Sequence, residues 1–434
     1  MTTTTKKNKV FRDALHGDIS LPAPLVGLCD TPEFQRLRAI KQLGTAYLVY
    51  PGATHSRFEH SLGTCHLTCK LLQNLGLDPH EHLAVLASAL LHDLTHIPFG
   101  HTLEDERRVF QRHDTPERLR RQLPQGALGQ HLRRNQLLEP VLAILGGEPE
   151  RPWHSQIFSG TICADLLDYL ARDALYCGLP HSYDRRILNM FRLDAQGQLY
   201  LEAFKSGLVR QDVLSEVVNL LRLRYFLSER VYFHHTKTSS GAMISRAVEA
   251  ALEAGWTLKD LESIGDEVLL YRLAQEVAPQ VPLVGQLLSS LRSHQIYKKA
   301  YVITRQVGEQ RRRQLVDEYH KDASRRRQAE ADLTARCRLK PGELILYCPA
   351  FGMQLKEADV EVQLQASGHQ PLSSVALPEL KVLRDRHQDL WKLYVFLAPS
   401  QEGKLNRVSA ACESHFCEPN HLPALQGGQL FLEL

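Results

Sequence analysis

The chain has 434 residues, 43% of them hydrophobic and 23% charged, with a formal net charge of +3. This length suits one large domain or two to three ordinary ones, and so small a charge provides no global pull toward nucleic acid. The longest strongly apolar stretch, Leu83 to Leu91, is too short to cross a bilayer; nine scattered cysteines with no CxxC pair argue against a disulfide framework or a zinc ribbon.

The chain opens with "MTTTTKKNKV", which lacks the apolar run of a secretory signal, so a reduced, cytoplasmic protein is expected. From about residue 30 to 300 the pattern is mostly helical. "HSLGTCHLTCKLLQNL", "EHLAVLASALLHD" and "SGTICADLLDYLARDALYCG" each repeat apolar residues at helical spacing. Asp78-Pro79, Pro98, Gly146-Gly147 and Gly178 to Pro180 punctuate these runs. "GQLYLEAF", near 197–204, alternates like a strand, and "VLSEVVNLLRLRYFLSERVYFHH" reads as one long helix ending in aromatics and histidines.

Residues 304–340 are highly charged with weak helical periodicity. They read as a solvated connecting helix, or alternatively as a basic face for a polyanion or a subunit contact. Beyond them "GELILYCPAF", "VEVQLQ" and "LWKLYVFLAP" predict strands, with a helix near 405–416. The expected organisation is a mainly α core over 1–303, a charged connecting helix over 304–340, and a small α+β lobe over 341–434.

Within the core, polar residues stand where leucines are expected. His60 lies in "HSRFEH", His92 and Asp93 end an apolar helix, and Asp165 sits in "CADLLDY" on a face that should point inward. Two imidazoles and two carboxylates make a mixed N/O ligand set for Fe, Mn, Zn or Ni, or for a metal pair with Mg. The structural alternative is a hydrogen-bonded set of buried polar groups.

The ordered blocks "FQRLRAIKQLG", "YPGATHSRFEHSLG", "LLHDLTHIPFGH", "ADLLDYLARD", "RVYFHH" and "FGMQ" resemble the HD-domain dNTP triphosphohydrolases, and most of all their animal SAM-and-HD-domain branch. The resemblance runs from about Lys9 to Cys417, with no SAM domain expected before it. It implies an HD-domain helical core in which His60, His92, Asp93 and Asp165 ligate a divalent metal, with Mg accompanying the substrate. The implied reaction is attack of water on the α-phosphorus of a dNTP, releasing a deoxynucleoside and triphosphate. His96 matches the histidine that passes a proton to the leaving oxygen, His113 a second active-site histidine, and His101 a phosphate contact. Glu104 stands where the family has an aspartate paired with the catalytic histidine, and Asp105 is its alternative.

The resemblance also assigns the substrate's surroundings. Arg57 and Arg224 match phosphate-side arginines, Gln42 a contact to the sugar 3′-hydroxyl with Asp173 as its partner, and Leu43 the wall that crowds the ribose 2′ position. Tyr169, Tyr232 and His234 match residues around sugar and base. Leu166 replaces a family lysine, Phe233 a polar residue near the base, and Ser228 a histidine, which leaves base preference and phosphate number open. Lys9, Asp30, Gln35 and Arg38 match a guanine-nucleotide site, so a GTP or dGTP activator and a homotetramer or dimer are expected. "DTPEFQRLR" reads equally well as a capped helix start. Arg12 and Asp212 depart from the family at a second effector site, although Arg210 remains, so activation there is expected to be altered.

Two rival functions follow from the same residues. One is an HD phosphohydrolase acting on an NTP, a dNMP or a signalling nucleotide; the other is a nucleotide-gated nucleic-acid-binding protein using 304–340. A dNTPase could serve pool control or antiviral defence against phage.

Overall fold

The computed structural model describes residues 9–257, 260–351 and 359–426. Of the "FGMQ" block only Phe351 falls among them. A two-stranded antiparallel hairpin, Lys9–Asp13 with Gly17–Leu21, opens the chain and leads into helices. Three of these carry the site: Arg57–Asn74, Leu83–Leu91 and Ala164–Tyr176. Each presents a buried apolar face to the same core. The Arg57–Asn74 helix starts where it does because the Glu59 carboxylate accepts from both Ser56 N (2.6 Å) and Ser56 Oγ (2.9 Å). Leu83–Leu91 is apolar all round and ends as His92 takes the cap.

The chain then turns sharply. Phe99 and Gly100 both have positive φ, at 60° and 43°. A Cβ on Gly100 would stand 2.7 Å from Arg57 Nη2 and 3.1 Å from His96 Nδ1, so only glycine lets this turn press against the arginine. Buried Asp266 pins it from outside by accepting from Phe99 N (2.7 Å) and Lys41 N (2.9 Å). A short wide turn of helix, Thr102–Glu106, follows.

The expected single helix through 213–235 is two. The first is Gln211–Leu227, then comes a wide turn at Ser228–Tyr232, then His235–Glu253. Ser228 Oγ donates to Arg224 O at 2.8 Å, and His234 Nδ1 caps the second helix by accepting from Thr236 N at 3.2 Å.

The C-terminal strands form an antiparallel sheet in the order Lys298–Thr304, Lys392–Leu397, Leu344–Tyr347. All but the last residue of its first strand lies on the core side of the expected boundary at 303/304. The lobe also gives a strand back: Glu361–Gln363 pairs in parallel with Leu199–Glu202, Leu201 opposite Val362.

The charged stretch 304–340 corrects the solvated-helix expectation. Its helix Ala323–Arg336 buries Arg326 and Glu330. Arg107 Nη2 meets Glu249 Oε2 at 2.7 Å and Arg107 Nη1 meets Glu330 Oε1 at 2.8 Å, while Arg326 Nη2 meets Glu249 Oε1 at 2.8 Å. Glu330 Oε1 also accepts from Leu346 N at 2.8 Å, tying core to lobe sheet. Several outer arginines are paired as well: Arg311 with Glu418, Arg313 with Glu309, Arg327 with Glu253 and Arg305 with Asp389. Much of the charge that suggested a polyanion-binding face is thus neutralised within the chain. Among the described residues no helix is long and apolar enough to cross a membrane.

Candidate metal centre and active site

His60, His92, Asp93 and Asp165 come from three separate segments and converge. His60 Nε2 lies 2.8 Å from Asp165 Oδ1, 3.3 Å from His92 Nε2 and 3.9 Å from Asp93 Oδ2. His92 Nε2 lies 3.5 Å from Asp165 Oδ1 and 3.6 Å from Asp93 Oδ1. Both rings use Nδ1 elsewhere: His92 Nδ1 donates to Ala89 O and His60 Nδ1 to Asp168 Oδ2, each at 2.8 Å. The two Nε2 atoms are therefore the ones turned to the shared point. Burial opposes charge on His60, but hydrogen bonds to Asp165 and Asp168 push its pKa up to about 10. His92 is raised against the same burial by Asp93 and Asp165. Asp93 is held well below the carboxylate range, despite burial, by Arg57, His92 and His96. Ligand atoms of His60, His92 and Asp93 lie within 4.8 Å of one another and Asp165 approaches both imidazoles, a donor set that fits a divalent metal whose binding is coupled to loss of the imidazole protons.

Beside this set stands a second group. His96 stacks on His113 with ring centroids 3.4 Å apart. His113 Nδ1 is 3.0 Å from Glu104 Oε2, and His96 Nδ1 is 3.4 Å from the same oxygen. His96 Nε2 lies 3.3 Å from Asp93 Oδ1. These separations couple the charges, yet neither His96 nitrogen makes a directed hydrogen bond among the described residues. Burial, then Arg57 and His113, lower the His96 pKa to about 3; burial likewise lowers that of His113 to about 3. His101 is half exposed and pairs through Nδ1 with Asp105 Oδ2 at 2.9 Å. Asp105 also meets Arg112, so Glu104 and not Asp105 faces the histidine pair. Ligand atoms of His96, His101, Glu104 and His113 all lie within 4.8 Å of one another, so this group too has the spacing of a cation site.

The surrounding residues are joined by hydrogen bonds and ring contacts. Asp173 accepts from His55 Nε2 at 2.8 Å and from Tyr232 OH at 2.7 Å. It is not bonded to Gln42; the link runs through His55, whose carbonyl accepts from Gln42 N at 3.0 Å. Gln42 Oε1 is buried and without a partner among the described residues. Leu43 is buried in the core cluster. The Arg224 guanidinium sits over the Tyr169 ring at 5.3 Å and the Tyr232 ring at 5.1 Å. Arg57 Nη1 is committed to Asp93 Oδ2 at 2.6 Å.

The HD domain family matches residues 57–173, and the HD associated region matches 208–416. The chain is thus an HD-domain protein. An uncharacterized protein of Methanocaldococcus jannaschii is 33% identical over 269 residues, 60% of this chain and 54% of that one. Deoxynucleoside triphosphate triphosphohydrolase SAMHD1 of Xenopus laevis is 30% identical over 287 residues, 55% of this chain and 45% of that one. The chain thus spans about half the length of these curated relatives. A phosphohydrolase of Bacteroides thetaiotaomicron superposes with a TM-score of 0.68 at 21% identity, covering 90% of this chain and 100% of that one, which shows the shared fold.

In this HD-domain chain the residues expected to read a guanine nucleotide lie close together. Lys9 Nζ pairs with Asp30 Oδ1 at 2.8 Å, Arg38 Nε donates to Gln35 Oε1 at 2.8 Å, and the Arg38 guanidinium covers Phe58 at 3.5 Å. Thr31 accepts from Phe34 N, which is the cap that the helix-start reading of "DTPEFQRLR" expects. Arg12 pairs with Asp18, and Arg210 with Asp212. Leu166 is buried in the core rather than turned to solvent.

The layer behind the HD set is not read in the sequence. Asp168 accepts four hydrogen bonds, from His60 Nδ1, His16 Nε2, Arg172 Nε and Arg172 Nη2. A signal was present in Gly63, one helical turn after His60. A Cβ there would fall 1.9 Å from Asp168 Oδ1, so the glycine marks where that carboxylate must approach.

Proposed function

We propose that this HD-domain hydrolase is a metal-dependent dNTP triphosphohydrolase, converting a dNTP to deoxynucleoside and triphosphate. The observation that carries the reading is the joining of three features in one place. The four-donor HD set lies against the Glu104-bonded histidine pair, and through Asp173 and His55 the same contacts lead to a buried Gln42 Oε1, unpartnered among the described residues, next to the apolar Leu43. The likeness to SAMHD1 supports the substrate class.

His60, His92, Asp93 and Asp165 would hold the ion. A divalent metal bound there supplies a more acidic water and withdraws charge from a phosphoryl oxygen. The rest falls to the chain. The oxygen of water joins the α-phosphorus as one of its protons passes to solvent, the bond from phosphorus to O5′ breaks, and O5′ takes a proton. His96 is the expected donor of that proton, but in the protein alone its ring is neutral, held so by burial and Arg57. The negative charge of a polyphosphate brought beside it raises its proton affinity, so the donor forms with substrate in place. Glu104 keeps His113 oriented against His96. Arg57, fixed to Asp93 through Nη1, has further N–H donors for phosphate oxygens. Gln42 Oε1 accepts from the sugar 3′-hydroxyl, and Leu43 leaves a ribose 2′-hydroxyl unpaired. Activation by GTP or dGTP at Lys9, Asp30, Gln35 and Arg38, within a dimer or tetramer, belongs to the same proposal.

The test is incubation with each dNTP and NTP in Mn²⁺ or Mg²⁺, with and without GTP, and ion-exchange separation of the products. Triphosphate release from dNTPs is the expected result; pyrophosphate or monophosphate release would overturn the bond assignment. A second reading, hydrolysis of a nucleotide with fewer phosphates, is favoured by the burial of Leu166 where a cation was expected.

A further inference from the structure

We propose that the N-terminal hairpin is a working part of the metal centre, because its turn holds the carboxylate that orients His60. The inference rests on the metal reading of the HD set and extends it to residues outside the ligands.

Asp168 is fully buried and its four bonds are divided evenly. Oδ1 accepts from His16 Nε2 at 2.6 Å and Arg172 Nη2 at 3.0 Å, while Oδ2 accepts from His60 Nδ1 at 2.8 Å and Arg172 Nε at 2.8 Å. A carboxylate so saturated has one position. By taking the Nδ1–H of His60 it fixes that ring's direction and leaves Nε2 for a metal.

Two of the groups that hold Asp168 in place depend on the hairpin. His16 stands in its turn, with a side chain only 2% exposed. Its Nδ1 is buried without a partner among the described residues, so the bond to Asp168 is the ring's one directed contact there. Arg172 is steadied by Asp13, whose Oδ2 accepts from Arg172 Nη1 at 2.8 Å. Asp13 Oδ1 accepts from Leu15 N at 2.9 Å and His16 N at 2.8 Å, which ties the turn to the same carboxylate.

The hairpin needs these contacts in return. It is a two-stranded sheet with Val10 and Arg12 exposed, an arrangement that is marginal alone. Phe11, Ile19 and Leu21 pack on the core, Lys9 pairs with Asp30 and Arg185 donates to Leu15 O, while Asp13 and His16 tie the turn to Arg172 and Asp168. Two parts that share Asp168 are thermodynamically linked: a docked hairpin tightens metal binding, and bound metal tightens the hairpin, by the same factor.

The experiment uses the full chain, metal-free, titrated with Mn²⁺. His16→Phe keeps the bulk of the ring and removes its hydrogen bond. Mn²⁺ affinity of the folded protein is expected to fall about ten-fold in this variant and more in Asp168→Asn, within the range for partners of metal-ligating histidines. Glu330→Gln, in the distant ion-pair hub, serves as the control: it lowers thermal stability and leaves Mn²⁺ affinity unchanged. Hydrogen exchange supplies the converse: Mn²⁺ slows exchange of the Leu15 and His16 amides in the parent protein and not in His16→Phe. If the parent binds Mn²⁺ and His16→Phe binds it equally well, the hairpin is only structural and the proposal is overturned. If the parent takes up no metal, the metal reading itself fails, and the linkage with it.

Discussion

Glu104 Oε2 lies 3.0 Å from His113 Nδ1, with no side-chain exposure on the glutamate, while the neighbouring Asp105 turns away to His101 and Arg112. The two adjacent carboxylates have therefore separated their work. Glu104 orients the ring that stacks on His96; Asp105 organises the rim. Glu104→Gln is expected to lower kcat for triphosphate release by about 10²-fold, the lower end of what acid–base positioning contributes. Occupancy of the HD set should be unchanged, since Glu104 lies outside it. Asp105→Asn is expected to change kcat less than about three-fold. Steady-state kinetics with metal analysis of both variants checks the division, and a reversed order of effects would exchange the two roles.

Gly63→Ala is expected to be among the most damaging single-methyl additions in the chain. The new Cβ would stand 1.9 Å from Asp168 Oδ1 and 2.5 Å from Arg172 Nη2. Neither group can yield without breaking bonds to His60, His16 or Asp13. The loss should exceed about 2 kcal/mol in urea unfolding, in the range of overpacking combined with a broken buried network. A midpoint within error of the parent would show that the Asp168 carboxylate has freedom that its bonding denies.

What the sequence revealed and what it hid follow one physical line. The convergence of His60, His92, Asp93 and Asp165 was legible because histidine and aspartate stood out against apolar helical runs, on three segments that had to meet. Asp168 was not, because its position three residues after Asp165 reads as ordinary helix polarity; only Gly63 on a different helix shows where it lies. The break after Leu227 was invisible because no glycine or proline makes it. Contacts set it from outside, with Tyr232 reaching Asp173 across the fold. The 304–340 stretch looked solvated because arginine usually is. Its burial depends on Glu249, a carboxylate about eighty residues earlier, and no local pattern carries that pairing.

That pairing has a pH signature. Burial alone would raise the Glu249 pKa, but Arg107 and Arg326 overcome it and hold it at about 2, against 4.5 for a free glutamate. A group depressed on folding contributes stability that is complete above its unfolded pKa and is lost as pH falls through its folded one. The expected loss is roughly 3 kcal/mol between pH 4.5 and 2, discounting every other group. Thermal unfolding across that window should show the slope. Glu249→Gln should show less of it from an already lower plateau, because the variant leaves Arg107 and Arg326 without a shared buried partner.

Sugar selection is the sharpest test of the substrate assignment. Leu43 is buried in the core cluster, and Asp173 receives the Tyr232 hydroxyl at 2.7 Å, so this edge is built rather than open. If Leu43 excludes a 2′-hydroxyl by denying it a partner, Leu43→Ala makes room for that hydroxyl together with water. The ratio of kcat/KM for a dNTP over its NTP should fall by about ten-fold, a modest change because apolar walls discriminate weakly. Tyr232→Phe removes the hydroxyl from Asp173 without opening space, so it should lower kcat/KM for both sugars and leave their ratio within about two-fold. The pair of variants separates shape from hydrogen bonding. An unchanged ratio in Leu43→Ala would return Leu43 to a purely structural place in the core, and the deoxyribose preference would then have to come from Gln42 or the residues around Tyr169.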